Sequence, residues 1–494
     1  MIPVGLLHPP NYAPQVVRNG ESTSEDLGVT ELCAAMSCND EFVATVVKSV
    51  VSASLTDPAV IRYRQGVLQE CLEKPELVRA LYDIATEATT ARRWTVGRGR
   101  APRSKLGLGL QPLEELVGHL RRLRQYCERN AGQSRSEGFI RFRATLSEQL
   151  DDDYLTKLDS LLPVLFFENG VLLSAALGTG NKADRVMLHE PPKTSKNAKL
   201  SLFSRRSGGS FEATSDYELP NDPLAAVIEP ALDSVAEVVS RAADKVQAFF
   251  RQLRTELGFY IGCLNLHERL GRMGAPICLP QPVVGSPALQ CRDLRDPSLC
   301  LSSNAVVGND IDDLGSTFVV VTGANSGGKS TFLRSVGLAQ LMMQAGMFVV
   351  AQSFASDVRA GVFTHFVRGE DETMKHGRLD EELTRMRSIT DQLRPGGMLL
   401  CNEPFASTND REAAMIAAPI FSALVDSGTK VVLVTHLFDF VRQRYADERA
   451  TDLFLHAERA SDGGRTYRLT VGAPESTSYG DDIFARVFGY RPGE

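Results

Sequence analysis

The stretch GANSGGKST, residues 323–331, has the spacing G-x-x-x-x-G-K-[ST]. An apolar run at 317–321 precedes it and a helical pattern follows. Strand, Gly-rich loop, lysine, hydroxyl and helix thus stand in the order that phosphate binding requires. Gly323, Gly327 and Gly328 let backbone N–H groups close around phosphates, and the positive end of the following helix adds to the attraction. Lys329 is placed to reach the outer phosphates, and the Ser330 hydroxyl to ligate Mg²⁺ directly. With Asn325 and Thr331 these residues form the candidate nucleotide site. A chance Gly-rich turn has no chemical need for the whole set.

A second stretch, GGMLLCNEPFASTND at 396–410, reads as a buried strand ending in Asn402 and Glu403. Ligands of open α/β sheets gather at such C-terminal strand ends. The usual pair there is an Asp that helps hold Mg²⁺, then a Glu; Asn402 departs from it. Its amide oxygen can accept a hydrogen bond from a metal-bound water but brings no charge. Glu403 is the candidate to orient or deprotonate an attacking water. Ser330, Asn402 and Glu403 are therefore the candidate metal-side residues, and ATP and Mg²⁺ the expected cofactors. A third strand, VVLVTH, ends in His436. A lone histidine is more often structural, yet a place just after a strand beside a phosphate loop suits a sensor of the γ-phosphate. Lys329, Glu403 and His436 are the candidate catalytic set.

A chain of 494 residues, 43% hydrophobic and 23% charged, has material for two or three globular domains. Its net charge of −7 gives no overall basicity, so any nucleic-acid contact must come from a local patch. The nine cysteines are scattered without a C-x-x-C pair, which argues against a disulfide framework or zinc site and for a reducing compartment. The first residues lack a charged start followed by a sustained apolar stretch, so no signal peptide is expected. The most apolar stretch, VGLAQLMMQAGMFVVA, is interrupted by Gln340 and Gln344 and is short for a membrane span. A cytoplasmic protein is expected.

The elements that must position the site follow from periodicity. Residues 1–175 read as a helical core domain. Within it Leu113, Leu116, Val117, Leu120 and Leu123 share one helical face, and the opposite face is Arg-rich. Residues 176–221 read as a clamp-like insertion of short strands and a basic loop. A long helix is expected over 222–272, with Leu232, Val235, Val239, Ala242, Val246, Phe249, Leu253 and Leu257 at threes and fours. The Gly- and Pro-rich stretch 271–297 marks a boundary. Beyond it, over 273–494, short apolar runs alternate with helices, the pattern of a parallel α/β sheet. The expected fold is multidomain: mostly helical, then an α/β P-loop domain.

With these residues assembled, the chain resembles the MutS family of DNA mismatch-repair ATPases. VVGNDI, the loop and its helix, NEPFASTND, VTHLFDF and GAPESTSYGDDIFARVFG are similar to that family's ATPase motifs over residues 300–494. LTDPAVIRYRQGVLQ and ELGFYIGCLNLHERL are more loosely similar to its core and lever helices. The resemblance implies a helical core and lever feeding an ABC-type ATPase domain. It also implies a homodimer of head-to-tail ATPase domains with ATP between them. The family's cross-subunit S-x-F-x-x-E-M stands here as GRLDEEL, 377–383. Gly377 replaces the serine that would touch the partner's γ-phosphate, Glu382 is retained, and Ser407, Thr408 and Asn409 fall where the family's loop crosses the dimer interface.

The family's two N-terminal domains, its Phe-x-Glu mispair wedge and its helix-turn-helix tail are not expected here. That points to structure- or backbone-directed DNA binding in repair or recombination, not ordinary mispair reading. Lys193, Lys196, Lys199, Arg205 and Arg206 stand in the sequence slot of the family's clamp; Arg92, Arg93, Arg98, Arg100 and Arg103 form a second basic stretch. Either could meet phosphate backbones or simply be solvated. The leading expectation is a slow, Mg²⁺-dependent ATPase that couples nucleotide to its grip on DNA. The alternatives are an ATP-gated scaffold for a protein partner and a nucleotide binder with little hydrolysis.

Overall fold

The computed structural model describes residues 3–13, 17–90, 102–130, 132, 134–165, 172–177, 179, 183–189, 225–285, 287–303, 305–367, 377–460 and 464–474. Of the basic positions only Arg103 falls within a described helix; Arg92, Arg93, Arg98, Arg100 and the whole of 193–206 lie outside the described residues, as does 475–494. Contacts group the chain into two compact units. One compact unit takes in Met1–Val4, Arg79–Ser134 and Ile140–Arg254, and the other Gly5–Val78, Arg135–Phe139 and Thr255–Glu494.

In the first unit the expected apolar stripe is buried. Leu113, Leu116, Val117, Leu120 and Leu123 lie on the inner face of the helix Pro102–Arg129. Leu113 and Val117 pack with Leu162, Leu232, Ala236 and Val239. The Arg-rich face is engaged in ion pairs: Arg121 with Asp159, Arg122 with Glu87, and Arg124 with Glu128 at 2.7 Å and Asp152 at 2.8 Å. The long helix is present as Ala225–Arg272, its part up to Arg254 in this unit and the rest in the other, and Leu232, Val239, Phe249, Leu253 and Leu257 are buried at the predicted spacing. A two-stranded antiparallel hairpin, Leu172–Leu177 with Ala183–His189, stands where short strands were read.

The second unit carries the sheet that positions the site. Its elements, labelled here in chain order, are α1 (Pro297–Ser302), β1 (Phe318–Thr322), α2 (Lys329–Gln344), β2 (Val362–Phe366), α3 (Arg378–Gln392), β3 (Met398–Asn402), α4 (Asp410–Asp426), β4 (Lys430–Val434), α5 (Phe438–Ala446), β5 (Asp452–Arg459) and β6 (Arg465–Val471). The strand order is β2-β3-β4-β1-β5-β6. All neighbours are parallel except β5 and β6, an antiparallel edge pair. Every residue of β1 and β4 is buried, as expected for strands covered on both faces. Phe318, Leu399, Val431 and Leu433 pack against Phe405, Phe421 and Phe440 in one apolar cluster.

A second sheet of four short strands, Gln281–Val283, Ser353–Asp357, Ala288–Leu294 and Asn309–Leu314, was not legible in the sequence. Strands such as SFASD and NDIDDL carry too few apolar residues to announce themselves, because several of their inward positions, Ser356, Asn309 and Asp313, are polar. The helices Val29–Ser37, Glu41–Ser52 and Pro58–Glu73 also belong to this unit. Met36 O of the first accepts from Asn265 Nδ2 at 2.9 Å, and Arg64 of the third donates to Ala345 O at the C-terminal end of α2.

Candidate functional site

The order β3-β4-β1 brings three C-terminal strand ends to one edge of the sheet. The Gly-rich loop leaves β1, His436 follows β4, and Asn402 and Glu403 end β3. Residues some 110 positions apart along the chain therefore converge through topology alone.

The loop is a backbone cradle that tolerates no side chain at its key points. Gly323 has φ +110° and Gly328 φ +92°, both in the left-handed region. A Cβ at Gly323 would stand 2.8 Å from Ala457 N, and one at Gly327 2.9 Å from both Ala324 O and the Ala457 Cβ. Strand β5 thus packs directly on the loop at an alanine. Lys329 opens α2 and is almost wholly buried; its ammonium donates to Gly323 O at 2.8 Å and Ala324 O at 3.0 Å. Burial holds that ammonium below the usual lysine range, with the nearby Glu403 carboxylate opposing the shift and Arg465 adding to it.

Across from the loop, Ser330 Oγ donates to Asn402 Oδ1 at 2.9 Å. Glu403 has φ +52° and Phe405 φ +63°, so the chain turns sharply out of β3 through conformations that cost non-glycine residues free energy. Glu403 N–H donates to Val434 O at 2.8 Å, which fixes the turn against β4. Its Oε1 lies 3.1 Å from His436 Nε2. The His436 ring, more than the Lys329 ammonium, holds the Glu403 carboxyl below the usual carboxylate range, against the opposing effect of burial.

Asn325, Gly327, Gly328, Lys329, Ser330, Thr331 and Glu403 line one cleft of about 530 Å³. Gly323 lies beneath Lys329, Asn402 joins through Ser330, and His436 through Glu403. The glycine cradle, the buried lysine and the hydroxyl–amide–carboxylate edge fit a magnesium–nucleotide complex in donor type. Two predicted residues lie elsewhere. Gly377 precedes α3 and is exposed, and Asn409 caps α4, accepting from Glu412 N at 3.0 Å. Near them Ser407 donates to Glu382, whose carboxyl is pushed up chiefly by burial.

The far end of the cleft was missed by sequence reasoning. Leu299, Ala305, Val306 and Val307 form an apolar wall, faced by Tyr467 of β6. Asn309 secures that strand, accepting from Leu469 N at 2.7 Å and donating to Tyr467 O at 3.4 Å. Of these, 306–309 fell within the VVGNDI motif without an assigned role. Tyr467 had no local signal, since only strand pairing brings it beside Gly328.

Residues 56–273 match the MutS2 N-terminal domain and residues 319–487 match MutS domain V. An Endonuclease MutS2 of Anaeromyxobacter sp. is 32% identical over 204 residues, 39% of this chain and 24% of that relative. An Endonuclease MutS2 of Lacticaseibacillus casei is 31% identical over 202 residues, 40% of this chain and 25% of the relative. A DNA mismatch repair protein MutS of Thermotoga sp. is 29% identical over 211 residues, 42% of this chain and 26% of the relative. The aligned segments thus span about a quarter of the length of these curated relatives. On its two matched domains this chain belongs to the MutS family.

Proposed function

We propose that the chain is a Mg²⁺-dependent ATPase that works as a head-to-tail homodimer and couples nucleotide state to its hold on DNA in repair or recombination. The observation that carries this reading is the meeting of Lys329, Ser330 and Glu403 in one cleft that apolar residues also line, with Asn402 bonded to Ser330 and His436 in contact with Glu403. Bound Mg²⁺ would supply charge neutralisation for the β- and γ-phosphates, with Ser330 as its protein ligand and Asn402 reaching it through water. Loop N–H groups and Lys329 orient the phosphates. Glu403, kept ionised by His436 and Lys329, accepts a proton from the attacking water. His436, 3.1 Å from Glu403, would report on the terminal phosphate through that carboxylate.

Gly377, Glu382 and Asn409 stand apart from this cleft, which fits a role at the cleft of a second copy. The same proposal includes the linear organisation into a core (1–175), clamp-like insertion (176–221), lever (222–272) and ATPase domain (273–494), and a cytoplasmic location. All nine cysteines are free thiols, as a reducing compartment would keep them. No helix among the described residues is long and apolar enough to cross a membrane.

A second reading is an ATP-gated scaffold that binds a protein partner instead of DNA. It is favoured by the net charge of −7 and by the ion pairs that neutralise the Arg-rich face of Pro102–Arg129. A salt titration separates the two. Binding to duplex or branched DNA that weakens steeply with salt supports the DNA reading. Salt-insensitive absence of binding to every DNA form, with and without ATP, would leave the scaffold.

A further inference from the structure

The apolar wall of the cleft is joined to the phosphate helix by one ion pair, buried on its carboxylate side. Asp296 has no exposed surface. One of its oxygens caps α1 by accepting from Leu299 N at 2.9 Å; the other accepts from Arg334 Nε at 2.5 Å. Leu299 is the α1 residue that lines the cleft, and Arg334 stands on α2 five positions after Lys329. The neighbouring Arg295 is held by Asp293, at 2.8 and 2.9 Å, and does not share Asp296. Neither Asp296 nor Arg334 lines the cleft.

A carboxylate taken out of water needs its partners, and removal of one of them leaves the other buried charge uncompensated. Beyond α1, the wall residues Ala305, Val306 and Val307 lie ahead of the strand Asn309–Leu314 and belong to no strand themselves. We propose that the Asp296–Arg334 pair is a positioning latch: it sets the spacing between the apolar wall and the phosphate loop, and so makes the cleft select nucleoside triphosphates over bare polyphosphate. The inference rests on reading the cleft as a nucleotide site and identifies what in it discriminates the nucleoside half.

The test compares equilibrium binding of ATP and of inorganic tripolyphosphate, both with Mg²⁺, to the whole chain and its variants. Asp296→Asn keeps a side-chain oxygen able to cap α1 and removes the charge. It is expected to weaken ATP binding about tenfold while tripolyphosphate binding changes by less than about twofold. Arg334→Gln should give the same selective loss, and Arg334→Lys should recover part of it. Retained tripolyphosphate affinity also reports that the phosphate half is folded; if Asp296→Asn does not fold, the partly exposed Arg334 carries the test alone. The latch is overturned if ATP affinity is unchanged in the variants, or if ATP and tripolyphosphate lose affinity equally. A wild-type chain that binds no nucleotide overturns the nucleotide-site reading itself, and the latch with it.

Discussion

Ser330 Oγ donates to Asn402 Oδ1 at 2.9 Å, so the hydroxyl expected to meet the metal is already oriented by a neutral amide. An aspartate could hold the hydroxyl in the same way and would add a negative charge. The amide keeps the geometry and gives up the field. Asn402→Asp should therefore lower the Mg²⁺ concentration for half-maximal ATP turnover by roughly three- to tenfold, since a charge about 4 Å away in water-like surroundings contributes on the order of 1 kcal/mol. A Mg²⁺ titration of both forms checks this; identical curves would leave Asn402 with only an orienting role.

Glu403→Gln removes the proton acceptor and keeps the shape. ATP hydrolysis should fall about 10²–10⁴-fold with nucleotide binding retained. Because His436 and Lys329 hold the Glu403 carboxyl below its usual range, wild-type turnover should persist into mildly acidic solution and be lost only as pH falls through that lowered value. A pH–rate profile of the wild type and a single-turnover comparison with Glu403→Gln test both statements.

Gly323→Ala places a Cβ 2.8 Å from Ala457 N at a residue with φ +110°. Neither the left-handed backbone nor the strand can yield cheaply. A loss of about 1–3 kcal/mol in stability and of most nucleotide affinity is expected. Gly66 lies inside the helix Pro58–Glu73, and a Cβ there would meet nothing within 4 Å. Gly66→Ala should accordingly stabilise by about 0.5–1 kcal/mol. Urea unfolding of the two variants gives the contrast, and equal effects would contradict the close packing of β5 on the loop.

His365 is fully buried on β2, 3.3 Å from Glu382 O and 3.4 Å from the Arg385 guanidinium. Burial, then the Arg385 charge, lowers its pKa to about 4. Between that value and the ordinary 6.5 the unfolded chain binds the proton and the folded chain does not. Stability contributed here is thus present above pH 6.5 and falls as pH drops toward 4, by about 1–3 kcal/mol. Denaturant midpoints at pH 7 and pH 5 should differ less in His365→Gln than in the wild type.

If the proposed pairing of ATPase domains completes each cleft, turnover per chain should fall on dilution in step with loss of the dimer. Light scattering and turnover measured over the same concentration series decide it; a monomer with full activity refutes the pairing.

The phosphate loop, Glu403, His436 and the long amphipathic helix were legible because each rests on local physics. A Gly-rich turn between an apolar strand and a helix, an acid at a strand end, and apolar residues at threes and fours all carry their meaning within a few residues. The interleaved compact units, the polar four-stranded sheet and the apolar wall facing Tyr467 carry no such local mark. They exist through contacts between residues distant in sequence, such as Asn309 with Leu469 and Asp296 with Arg334. Motif spacing in the sequence marked the candidates to meet a nucleotide. Only the strand order β3-β4-β1-β5-β6 decided that they meet in one place, because side-chain chemistry is local while the distance between side chains is set by the path of the whole chain.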